Sequence, residues 1–133
     1  MKKRYGAALL AAFMGVSAML TMTGCGKDKA AEKFIYDPGD PFVTNVSGTK
    51  YLLKSDILLE ISNPDNQKIL ANEAVVADIR SIIIEILRST PYDEIMAPEG
   101  QATISSKIKS KIEEKLQISY VENIYFNEFV VQH

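Results

Sequence analysis

A chain of 133 residues with 15 Lys and Arg, 17 Asp and Glu, one His and one Cys carries a formal net charge of −2 at pH 7. That length supports one hydrophobic core and not two; the lone cysteine excludes an intramolecular disulfide, and the lone histidine excludes a histidine-based metal site. Without the leading cluster Lys2, Lys3 and Arg4 the body keeps 12 basic groups against 17 acidic ones, a charge of about −5. Nucleic acid is therefore a poor partner, because phosphate binding needs clustered positive charge.

The chain opens with those three basic residues, runs without a charged side chain from Tyr5 to Gly26, and meets Thr23-Gly24-Cys25 just before Lys27. A basic start, an apolar middle and a small-residue boundary form the layout of a secretory signal. Three readings fit it. Cys25 is the lipidation acceptor of a bacterial lipoprotein signal, with Gly24 before the cut and Met22 where the usual Leu stands. Alternatively the segment stays as a transmembrane helix, since about 20 apolar residues cross a bilayer. In the third reading it is cleaved and the protein released. The first two leave a membrane-attached protein whose body lies outside the cytoplasm, and more than one acyl chain would make a lipid anchor stable. Residues 1–25 are accordingly assigned as signal or anchor, 26–41 as a tether and 42–133 as the folded domain.

In the tether, Asp37-Pro38-Gly39-Asp40-Pro41 has the residues of a turn and lacks those of a helix. Phe34, Ile35 and Tyr36 are apolar enough to touch the domain or the membrane surface, or to form an ordered edge strip of the domain. Phe42 to Val46 is short, β-branched and bounded by Pro41 and Ser47-Gly48, which reads as a strand. Beyond that turn Tyr51, Leu53, Ser55, Ile57, Leu59 and Ile61 alternate with a mostly polar set, so the two runs form an antiparallel hairpin with one face on a core. Asn63-Pro64 then starts a helix, with Asn63 as cap and Pro64 in its first turn. Leu70, Val75, Ile79, Ile82, Ile83, Ile86 and Leu87 recur at spacings of three and four along it.

Thr90-Pro91 restarts the chain as cap and first position of a short helical turn through Ile95 and Met96, and Asp93 complements its amide end. After Pro98-Glu99-Gly100, Ile104, Ile108, Ile112 and Leu116 fall on every fourth residue among lysines and glutamates, the pattern of an amphipathic helix with a narrow apolar face. Val121 to Gln132 reads as a strand. Phe126 and Phe129 differ in parity, which requires a bulge or burial on two sides. The fold class is α+β: a small antiparallel sheet, made of the N-terminal hairpin and the C-terminal strand, packed against two main helices.

No catalytic or metal constellation emerges, and neither an enzyme activity nor a cofactor is expected. His133 is the last residue, where termini fray. Asp93-Glu94 and Glu113-Glu114 are neighbours whose side chains diverge on a helix. Ser105, Ser106 and Lys107 lack an accompanying glycine loop, and phosphate-loop and dinucleotide glycine patterns are missing. Arg80 is the polar group of the central helix to single out. It caps a buried acid, contacts a neighbouring subunit, or packs its alkyl stem at the core edge.

The run Phe42-Val43-Thr44-Asn45-Val46 with Tyr51-Leu52-Leu53 resembles the start of the extracytoplasmic domain of the FliL family. Ile79-Arg80-Ser81-Ile82-Ile83-Ile84-Glu85-Ile86-Leu87-Arg88-Ser89, followed by Thr90-Pro91-Tyr92-Asp93-Glu94-Ile95, is similar to its central stretch. Glu99-Gly100 and Ile124-Tyr125-Phe126-Asn127-Glu128-Phe129-Val130-Val131-Gln132 match its close, so the resemblance covers about residues 42–132. It implies a stomatin-like domain that assembles as a ring or arc on the outer face of the cell membrane, at the flagellar basal body. There it would support the MotA/MotB stator in flagellar rotation, motility and chemotaxis, with no catalytic activity; the alternative function is an envelope lipoprotein binding module unrelated to motility. Asn45, Arg80, Phe126 and Phe129 stand in the matching motifs and are the candidate interaction or structural residues; Cys25 is the candidate lipidation site. The leader departs from the family, whose members keep a longer transmembrane helix.

Overall fold

The computed structural model describes residues 32–117 and 121–133, so Cys25 and the leader lie outside the described residues. The long strand β3 (Leu52–Ser62) is the axis of the sheet. Its alternation reads directly as burial. Leu53, Ile57, Leu59 and Ile61 are at most 1% exposed and point at the helices, while Lys54, Asp56 and Glu60 face outward. Strand β2 (Phe42–Asn45) pairs with it antiparallel from Phe42↔Ser55 to Asn45↔Leu52. The hairpin closes where the Val46 amide donates to the Tyr51 carbonyl at 2.9 Å, around Gly48 at φ +72°. The left-handed backbone at that corner suits a residue without a Cβ.

Strand β1 (Lys33–Tyr36) pairs with β3 on the same edge, Lys33↔Ser62 to Tyr36↔Leu59. Of the readings open for residues 34–36, the ordered edge strip describes what is seen, and the sheet begins inside the stretch read as tether. β1 and β2 thus lie end to end along one edge, with residues 37–41 looping out between them. Proline cannot donate to a ladder, and Pro38 and Pro41 fall in that interruption. Strand β4 (Val121–Gln132) covers the other edge of β3 along its length. Its register shifts between Asp56↔Glu128 and Ile57↔Phe126, which leaves Asn127 as an extra residue. That bulge brings Phe126 and Phe129 to the same face despite their parity, with ring centroids 5.2 Å apart and planes at 77°.

The stretch expected as one helix from Pro64 is two. Helix α1 (Asn66–Leu70) is a single turn, and α2 (Glu73–Ser89) follows after Ala71-Asn72. Asn72 adopts extended backbone and its side chain accepts from the Ala74 amide at 2.9 Å, which is the geometry of an N-cap and restarts the helix. Asn63 is not that cap: it sits at φ +72° and accepts from the Asp65 amide at 3.0 Å, shaping the turn instead. Thr90 likewise does not cap the next helix. Its hydroxyl donates to the Ile86 carbonyl at 2.6 Å and closes α2, while Pro91 precedes α3 (Tyr92–Met96).

Helix α4 (Gly100–Leu116) buries Ile104, Ile108 and Ile112 at 0–1% exposure, as its fourfold spacing predicts. These meet Ile79, Ile82, Ile83 and Leu87 of α2 and the inward side chains of β3 in one core. Both main helices lie on the same face of the sheet, α2 over β2 and α4 over β4. The fold is α+β with a small antiparallel sheet, two main helices and two short ones.

Candidate interaction surface

Two places gather polar side chains from distant parts of the chain. The first is the loop between β1 and β2. Arg80, on α2, donates through Nη1 to the carbonyl oxygens of Pro38 at 3.0 Å and Asp40 at 2.9 Å. Its guanidinium carbon stands 4.4 Å from the centre of the Phe42 ring, a cation–π contact. Gly39 turns the loop at φ +104°, with its amide donating to the Asp37 carboxylate at 2.8 Å; a Cβ there would lie 3.4 Å from Arg80 Nη1. Among the described residues no acid takes the guanidinium. It is anchored by backbone carbonyls of its own chain, which holds the two short edge strands in line against α2. Beneath this loop, burial pushes the Tyr36 phenol above its ordinary value, and Asp37 adds to the rise.

The second place is the outer face of the sheet. Glu60, on β3, accepts from Lys33 of β1 at 2.8 Å and from the Tyr125 hydroxyl of β4, with the Asn123 side-chain amide at 3.5 Å. One carboxylate therefore ties three strands together. Hydrogen bonds from Lys33 and Tyr125 hold the Glu60 carboxyl below the usual carboxylate range, and the same contacts raise Lys33 and Tyr125. Further along, Lys54 pairs with Glu128 at 3.0 Å, and Asn127 donates to Asp56 at 3.3 Å. Between these polar contacts Ile35, Val43, Leu52, Tyr125 and Val130 are exposed. Among the described residues nothing covers this face.

Because Glu60 titrates lower in the folded chain than in the unfolded one, its contribution to stability is full above 4.5 and disappears as the pH falls through its depressed value. Lys33 works in the opposite sense, its share being lost as the pH rises past 10.5. The expected result is that Glu60→Gln lowers the urea midpoint at pH 7 and that the two proteins converge toward pH 3. Parallel curves over that range would show that the carboxylate network contributes nothing.

Of the residues singled out from sequence, Phe126 and Phe129 face the core side of β4 and stack edge-on, Asn45 is exposed at the end of β2 opposite Leu52, and Arg80 holds the loop described above. The structure does not bring these four into one site. The Glu60 network was missed; the signal available was Glu60 on the polar parity of β3 with Lys33 and Tyr125 in flanking strands, legible only once register is known. His133 rests edge-on against Tyr51, centroids 5.4 Å apart, in place of the frayed end expected. Among the described residues no group of three or more His, Cys, Asp or Glu could hold a metal ion, and no helix is long and apolar enough to cross a membrane.

These features define a small α+β domain with helices on one face of an antiparallel sheet, strapped strands, and an open second face. The model of the family "Flagellar basal body-associated protein FliL" matches residues 35–132, and the chain belongs to that family. It is 33% identical over 101 residues to the flagellar protein FliL of Aquifex aeolicus (strain VF5), a match that covers 74% of this chain and 61% of that relative. The chain thus spans less than two thirds of the length of the curated relative it matches.

Proposed function

We propose that the protein is a flagellar accessory component, attached at the outer face of the cell membrane beside the basal body, where copies associate laterally in a ring or arc and support the MotA/MotB stator. The observation that carries this reading is the family match over residues 35–132. The role is mechanical and not catalytic. The anchor of this reading is a lipid on Cys25 or a retained apolar helix over residues 5–26. Either one confines the domain to a surface, which raises its effective concentration and makes weak lateral contacts sufficient. Closed symmetric rings are the common outcome when such contacts repeat. The outer sheet face, with its exposed Ile35, Val43 and Val130, supplies apolar area for contacts of this kind.

A strain lacking the protein should spread less than its parent in soft agar and fail to swarm, and a plasmid copy should restore both. Complementation by Cys25→Ala separates the anchors: lost membrane retention and a mobility shift identify the lipid, whereas full retention identifies the helix. Normal swimming and swarming in the deletion strain would remove the motility reading.

A further inference from the structure

The two edges of the sheet are treated differently. On the β1–β2 edge the strands are four residues each, interrupted by a loop with two prolines and a glycine, which is how proteins protect an edge from further pairing. On the other side β4 runs for 12 residues without Pro or Gly and, among the described residues, pairs only with β3. Alternate N–H and C=O groups along it point away from the sheet. Beside this edge lies a groove. Cavities of about 520, 770 and 320 Å³ follow one another between β4 and the α3–α4 segment, sharing Pro98, Gln101, Ala102 and Ser105 as their wall. Ile124, Phe126, Phe129 and Val131 line them from β4; all four remain only partly buried, although their neighbours on β3 are sealed. Among the described residues no charged side chain lines the first two cavities. Lys109 and Glu122 stand at the far end, in the third.

We propose that this groove binds an extended segment of a partner protein, which adds as a further strand to β4. Unpaired backbone groups beside an apolar groove meet the requirements of strand addition: the ladder supplies affinity and the groove selects the side chains on one face of the added strand. The uncharged lining specifies the occupant. Its groove-facing residues are apolar, because a charge desolvated there would lack a partner, and charge is accommodated where Lys109 and Glu122 stand. A second copy fits less well. Its β1–β2 edge offers only four-residue runs, and pairing through its β4 brings a second α4 to the same side of the joined sheet, against the Pro98–Ser105 wall. The inference goes beyond the flagellar reading and does not depend on it, since its test reads binding and not motility.

The probe is a capped peptide of alternating Val and Thr with a lysine at each end, added to the isotope-labelled full chain in detergent micelles. The expected result is saturable shifts at Ile124, Phe126, Phe129 and Val131, with amide exchange along β4 slowed about tenfold or more. A control peptide with Glu in place of Val should not bind. Ala102 is exposed on α4, so Ala102→Arg fills the groove without touching the core; it should weaken binding about tenfold or more while leaving the urea midpoint in place. Absence of shifts at millimolar peptide, shifts confined to the outer sheet face, or binding unchanged by Ala102→Arg would each overturn the proposal. So would direct β4-to-β4 contacts between copies in the absence of peptide, which would assign the groove to a second copy.

Discussion

Gly100→Ala should lower the unfolding free energy by roughly 2 kcal/mol, the usual scale of overpacking, even though alanine is the better helix former. A Cβ at this position would sit 2.5 Å from the Glu94 carbonyl oxygen and 2.6 Å from that of Ile95. Both atoms are backbone, so no side chain can swing aside; α3 must move off the first turn of α4. The contact is tight because Gly100 is buried where the chain folds back on itself, its amide donating to Ala97 at 2.9 Å. For a domain of this size such a loss lowers Tm by about 10 °C. A thermal midpoint equal to or above that of the parent would show that α3 and α4 are not packed this closely.

Arg80→Ala should cost about 2 kcal/mol. It removes two charge-assisted hydrogen bonds to Pro38 and Asp40 and the contact over Phe42, of which each hydrogen bond is ordinarily worth about 1.5 kcal/mol or more and the cation–π contact about 0.5–1. Partial exposure of the site, where water competes for the same groups, holds the total well below the sum of those values. Arg80→Lys should recover part of the loss, because both carbonyls accept from the single Nη1 and an ammonium can bridge them likewise, whereas the planar guanidinium contact over the Phe42 ring is lost. The check is urea denaturation together with amide exchange in β2, which should quicken once the loop is released. A change under about 0.5 kcal/mol, the level of an ordinary surface substitution, would mean that the loop holds itself in place.

Much of this architecture can be read from spacing, and the parts that cannot share a cause. The alternation from Leu53 to Ile61 gave the buried face of β3 because burial on one side of a strand repeats every second residue. Ile104, Ile108 and Ile112 gave α4 in the same manner, and the conflicting parity of Phe126 and Phe129 called for a bulge or burial on two sides, of which the bulge at Asn127 is the one found. What escaped depends on partners distant in sequence. β1 has four residues and no pattern of its own; it becomes a strand because the far half of β3 offers an edge. Arg80 was singled out, yet its partners are carbonyls some 40 residues upstream, which side-chain chemistry cannot announce. The break at Asn72 is a local exception, since the apolar periodicity crosses it while the cap geometry sits in one side chain. The groove beside β4 left no sequence signature at all: it consists of backbone and of apolar residues that look like ordinary core.

The proposed support of the flagellar stator is read most directly in the torque of single motors under high load. Beads tethered to motors of the deletion strain should rotate more slowly than in the parent and show fewer discrete speed steps as stator units join, with both restored by the plasmid copy. Equal torque and equal step number in the two strains would rule out a role in stator support.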